Sequence, residues 1–176
     1  MSDDLTPGDS TLADVRPVAR GPRPMLAKRL LVGLLSVIVL AGAAGLFGVR
    51  SRQASASAGG WTVSVTYAAV ARAGLDVPWQ VVVHHDGGFT GPVTLAVTAD
   101  YFDIFESQGL DPEPTTETAD GDKLYWTFDP PPGDELSVDF DAYIQPSSQI
   151  GASGEVAVLD GGAPVVTVPF RTWLVP

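Results

Sequence analysis

Cysteine is absent from this chain of 176 residues, histidine occurs only as the neighbouring pair His84–His85, and lysine is scarce beside arginine. The missing cysteine excludes disulfides, thiolate nucleophiles, cysteine metal sites and lipoprotein-type acylation together. Two adjacent histidines on a strand point to opposite faces, so they cannot easily share one metal ion. No G-x-S-x-G elbow is present: Gly151-Ala152-Ser153-Gly154 is followed by Glu155. Beyond residue 49 there is no apolar period of 3.6 long enough for a crossover helix, which removes parallel α/β folds. With neither nucleophile nor metal set in view, the chain reads as non-enzymatic and without a cofactor.

Positive charge is also missing from most of the chain. Residues 53–176 hold only Arg72, Lys123 and Arg171 against seventeen acids, whereas residues 1–52 hold seven basic residues against four aspartates. Such an acidic domain repels nucleic acid phosphates and anionic headgroups, so neither is an expected partner.

What is present begins with Leu30–Val49, twenty residues without a charge. At about 1.5 Å per residue they form a helix of roughly 30 Å, the hydrocarbon thickness of a bilayer. Arg16, Arg20, Arg23, Lys28 and Arg29 precede it, and Arg50 and Arg52 follow. That asymmetry predicts a single-pass plasma-membrane protein, its N-terminus cytoplasmic and its C-terminal domain extracytoplasmic. A cleaved signal peptide is the rival, since Ala54-Ser55-Ala56 and Ala56-Ser57-Ala58 resemble peptidase sites. The long leader and the length of the apolar run favour an uncleaved anchor. The pairs Ala41/Gly45 and Ala44/Gly48 are spaced four apart, so a homo-oligomer through these small residues is an alternative to plain lipid-facing side chains.

The remaining segments divide simply. Residues 1–29, proline-rich and polar to residue 24, are expected to be a disordered cytoplasmic tail. Residues 50–60, RSRQASASAGG, read as a flexible tether spanning roughly 18 Å.

Residues 61–176 show the alternation of strands. Trp61, Val63, Val65 and Tyr67 share one face, as do Trp79, Val81 and Val83, then Val93, Leu95 and Val97, then Leu136, Val138, Phe140 and Ala142. Asp100–Ser107 suits a helical turn capped by Asp100, or a crossing between strands. Pro112 and Pro114 allow only a short edge strand. A last hairpin joins 155–159 to 165–170 at Gly161-Gly162. The expected fold is all-β, an immunoglobulin-like two-sheet sandwich of 7–8 strands preceded by one transmembrane helix.

Three stretches, DYFDIFESQGLDPEP, YWTFDPPPGDELSVDFDAYIQP and the terminal FRTWLVP, give the chain a family likeness. It resembles uncharacterised actinobacterial single-pass membrane proteins with an extracytoplasmic immunoglobulin-like domain, over residues 30–176. More loosely it resembles sandwich modules of bacterial adhesins and glycosidases. The resemblance implies the architecture and carries no activity or binding residues with it.

Candidate sites are few. The acids Asp100, Asp103, Glu106, Asp111 and Glu113 share one loop-rich segment, Asp120 and Asp122 flank a turn, and Asp139 and Asp141 share a strand face. Calcium binds such oxygen clusters, but no twelve-residue calcium loop is present and solvated surface acids account for them. Trp61, Trp79 and Trp126 fit a core. Phe170 and Trp173 in the fraying terminal strand, and Tyr125 with Pro131 beside the 130–133 loop, are the candidate partner contacts. These features describe a non-catalytic, membrane-anchored interaction module, an accessory subunit or partner-binding domain of an integral membrane protein complex. A glycan- or calcium-binding envelope domain is the alternative.

Overall fold

In the computed structural model, which describes residues 22–45, 48–106 and 109–175, the chain divides into two units at Phe47/Gly48. The first contains α1, Pro22–Ala43. Pro22 and Pro24 fall in its first turn, where backbone amides have no helical partner to lose. The stretch Met25–Ala43 is long and apolar enough to cross a membrane. Its Ser36 hydroxyl donates to the Val32 carbonyl at 2.8 Å, which satisfies that group within the helix.

This helix corrects two expectations. It starts eight residues before Leu30, so Pro22–Arg29 are helical rather than tail, and the earlier part of the expected tail lies outside the described residues. It ends at Ala43 rather than Val49, because Gly45 takes a left-handed φ of 71°, as a helix-terminating glycine does. Of the four small residues Ala41, Ala44, Gly45 and Gly48, only Ala41 is therefore helical, and they form no continuous helix face.

The second unit is a two-sheet β-sandwich. Among the described residues it has eleven strands: β1 Arg50–Ala58, β2 Trp61–Ala71, β3 Asp76–His85, β4 Val93–Thr98, β5 Leu110–Asp111, β6 Thr116–Ala119, β7 Lys123–Phe128, β8 Glu135–Tyr143, β9 Ser153–Asp160, β10 Ala163–Arg171 and β11 Trp173–Leu174. One sheet runs β1-β2-β3-β8-β5, with β11 added beside β2; the other runs β10-β9-β4-β7-β6. Pairing is antiparallel except for β11, which lies parallel to β2. The count exceeds the expected 7–8 because β5 and β11 are two-residue strands and β1 was read as a tether.

Residues 50–60 are the main correction. Arg50–Ala58 pair with β2 along their length, Ala54 opposite Val65 and Ala56 opposite Val63. Gly59 and Gly60 both have positive φ (59° and 82°), which closes a two-residue hairpin whose twist matches its strands. Backbone pairing and two half-buried alanines hold β1, not side-chain bulk.

The predicted inward faces fill the core. Val63, Val65, Val81, Val83, Leu95, Val97 and Val138 have no exposed surface, and Trp79 and Phe128 are almost as deeply placed. Chain direction switches sheets at Thr172, the one buried polar residue among the described residues, whose hydroxyl is 2.8 Å from the Tyr101 hydroxyl. Tyr101 belongs to a 3-10 turn, Ala99–Ile104, that links β4 to β5. Thr98 rather than Asp100 stands at its N-terminus, without a side-chain cap. Burial pushes the Tyr101 phenol well above its ordinary range, so it stays protonated and bonded.

Candidate functional site

The sequence Asp100-Tyr-Phe-Asp-Ile-Phe-Glu106 places acids every third residue and aromatics between them. A 3-10 turn repeats every three residues, so it separates these two sets onto different faces. Tyr101, Ile104 and Phe105 go into the sandwich, while Asp103 and Glu106 remain exposed. The turn packs against β7 and β9 and shares the lining of one cleft with the short strands β5 and β6. Because these strands are short, they leave the two sheets parted there, and a cleft of about 830 Å³ results.

Its floor is apolar: Phe102, Phe105, Leu110, Leu124, Trp126 and Phe140. The rings meet edge to face, Phe102 to Trp126 and Phe102 to Phe140 both at 5.3 Å, and Phe105 to Phe140 at 5.7 Å. Trp79 stands behind them, 5.3 Å from Phe102 and 6.0 Å from Trp126, so core packing sets the cleft's shape. Asp103, Glu106, Glu113 and Glu117 are its charged lining residues, and none of those lining it is basic. The Trp126 indole N–H donates to Glu117 at 3.1 Å and fixes that carboxylate against the rings. Gln145 donates to the Phe105 carbonyl at 2.6 Å, which holds the end of the turn. An apolar floor with carboxylates alone around it attracts a cation that carries apolar surface.

The residues expected to meet a partner are not brought together. Phe170 is buried, with its ring 4.7 Å from Tyr101 and 5.5 Å from Tyr67, and is withdrawn as a contact because alternation along β10 turns it inward. Tyr125 lies on the opposite face of β7 from Trp126 and donates to Asp120 at 2.6 Å. That bond and the Lys123 amide hold the Asp120 carboxyl below the usual carboxylate range and push the Tyr125 phenol up. Pro131 is half-buried in the loop after β7. Trp173 is 53% exposed, at the other end of the sandwich from Pro131. Trp79 and Trp126 are buried as expected, whereas Trp61 is half-buried and stacks on His85 at 4.1 Å.

The histidines serve the turn after β3. His85 Nδ1 lies 2.8 Å from the Gly88 carbonyl, and His84 approaches Asp86 and Asp134 at 3.4 and 3.8 Å. Among the described residues no three His, Asp or Glu side chains converge on a metal-sized site. The sequence pattern missed the cleft because it joins residues from Ala99 to Gln145 that only the topology assembles.

The fold thus defines a β-sandwich module preceded by one apolar helix. The chain matches no protein-family model, and no curated protein matches it.

Proposed function

We propose that this protein is a non-catalytic, single-pass membrane module whose acidic, aromatic-floored cleft receives a cationic, partly apolar segment of a partner membrane protein. The cleft carries this reading: four carboxylates surround six apolar side chains with no base among the lining residues. A lysine or arginine entering it meets ring edges and carboxylates at once, and its aliphatic stem covers the floor. The partner's other residues would then pair along the rim.

The span and its orientation, N-terminus cytoplasmic and sandwich extracytoplasmic in the plasma membrane, belong to the same proposal. Support for an anchor that is not cleaved comes from β1. Both peptidase-like sites lie within it, and cutting there would strip an edge strand whose alanines pack on the core.

Site-specific photo-crosslinking on the full-length chain in its native membrane tests the proposal. A photoreactive residue at Leu110, in the cleft, is expected to capture a membrane protein, and one at Ala163, in the distant hairpin, is not. Synthetic peptides bearing Arg and Leu are expected to quench Trp126 fluorescence in a salt-dependent manner, while Asp-bearing counterparts do not. Failure of the Leu110 probe to capture any protein, together with no discrimination between the two peptides, would sink the reading.

A further inference from the structure

The end of the sandwich where β1 begins has a composition unlike the rest of the domain. Every exposed large hydrophobic side chain described between residues 48 and 175 is there: Leu75 (40%), Ile150 (81%), Trp173 (53%) and Val175 (39%). Backbone geometry brings them together. The Val175 amide donates to Ala71, the Ile144 amide donates to Leu75, and the Thr172 amide donates to Ala152. Gly151 lies so close to the Thr172 carbonyl and the Trp173 Cα that any Cβ would collide with them, so the residue after Ile150 abuts the Trp173 backbone. Val70 pairs with Arg50 on one side and with Trp173 on the other.

Charge is segregated to the same end. The unit that starts at Gly48 has five basic residues, and Arg50, Arg52, Arg72 and Arg171 belong to the strand ends that meet here. Arg171 stacks its guanidinium 3.6 Å from the centre of the exposed Trp173 ring. Asp76 follows Leu75, and the Ala99–Ile104 turn adjoins the corner through Tyr101 on Thr172 and the Glu106 amide on Tyr143, whereas the acids of the β6–β7 turn lie strands away. A domain of strongly negative net charge therefore presents one basic and apolar corner.

From this juxtaposition we propose that the corner docks on an anionic lipid surface. Trp173, Ile150 and Val175 enter the headgroup layer, and Arg50 and Arg171 meet lipid phosphates. The inference rests on reading α1 as a membrane span. Only residues 44–49 separate the last helical residue from Arg50, so β1 starts at most about 25 Å of chain from the helix end. Indole at the interface and arginine on phosphate are the side chains that such a surface selects. A tilt of the domain follows, because the contact is a corner of the β1/β11 side rather than the whole end.

The native chain has no cysteine, so single labels can be placed at will on the full-length protein. Gln149→Cys labels the corner without removing an anchoring side chain, and Ala163→Cys labels the opposite end. Each spin-labelled chain is reconstituted into vesicles of phosphatidylglycerol with phosphatidylcholine, or of phosphatidylcholine alone. At position 149 in the anionic vesicles, collision with a water-soluble relaxant is expected to be several-fold lower than at position 163. Adding Arg50→Glu and Arg171→Glu is expected to abolish that difference. Equal accessibility at the two positions, in protein that floats with the vesicles, overturns the docking and leaves the span intact. Equal protection in phosphatidylcholine alone overturns the anionic surface as the ligand. Protein that does not float with the vesicles overturns the span and the docking together.

Discussion

The β5/β6 edge and the β1/β11 corner are both exposed surfaces of one sandwich, yet they are built in opposite ways. The edge is an extension of the core: Phe102, Trp126 and Phe140 line the cleft and pack on buried Trp79. The corner is assembled from strand ends and loops, with apolar side chains exposed among the described residues. One is acidic, the other carries most of the domain's arginines. Net charge, −11 for the whole chain, conceals this division and would have assigned the same partners to both surfaces.

The comparison breaks most visibly at the two tryptophans. Trp79→Ala removes a ring that four other aromatics contact, and is expected to cost about 3–5 kcal/mol in chemical denaturation and to disorder the cleft. Trp173→Ala on the corner should stay within about 0.5 kcal/mol. Similar losses for the pair would mean that the corner is structural rather than an open surface.

A smaller effect joins the two regions. Thr172→Val leaves the buried Tyr101 hydroxyl without its partner and should cost about 1–3 kcal/mol by the same measurement. Since Tyr101 packs on Phe102 at 5.3 Å, binding at the cleft should weaken as well. An unchanged cleft in that variant would show that corner and edge are independent.

Removing charge sharpens the contrast with little effect on the fold. Glu113→Gln combined with Glu117→Gln should lower affinity for Arg-bearing peptides and flatten its salt dependence, with the thermal midpoint almost unmoved. A large drop in the midpoint would assign Glu117, bonded to Trp126, a structural role instead.

The least effect is expected at the β6–β7 turn, which belongs to neither surface. Asp120 has its folded pKa depressed by the Tyr125 hydroxyl and neighbouring amides. Its contribution is therefore fully present above the ordinary carboxylate pKa of about 3.9 and disappears as pH falls through the folded value. Tyr125→Phe should raise the Asp120 midpoint toward the ordinary range in a carboxyl-resolved NMR titration, without altering either surface. No movement would show that the amides alone hold the charge.

Much of the fold was legible residue by residue. The inward faces of β3, β4 and β8 and the Gly161-Gly162 hairpin followed from alternation and turn chemistry, because a half-buried strand must repeat every second residue. The strand β1 was hidden because Arg, Ser, Gln and Ala have little strand preference, and its pairing with β2 supplies what the side chains lack. Phe170 was misplaced for the opposite reason: a terminal segment that looks ready to fray is instead anchored by Thr172 on Tyr101.

By itself the sequence determined the class of each segment: an apolar helix, then an acidic all-β domain without thiols. Those properties are local, written in hydropathy, periodicity and composition. Only the tertiary structure decided where the surfaces are. Residues between Ala99 and Gln145 become one acidic cleft, and Arg50, Ile150 and Trp173 become one basic and apolar corner. The physical reason is sheet order, since strands distant in sequence become neighbours at an edge or an end, and no local pattern encodes which ones will meet.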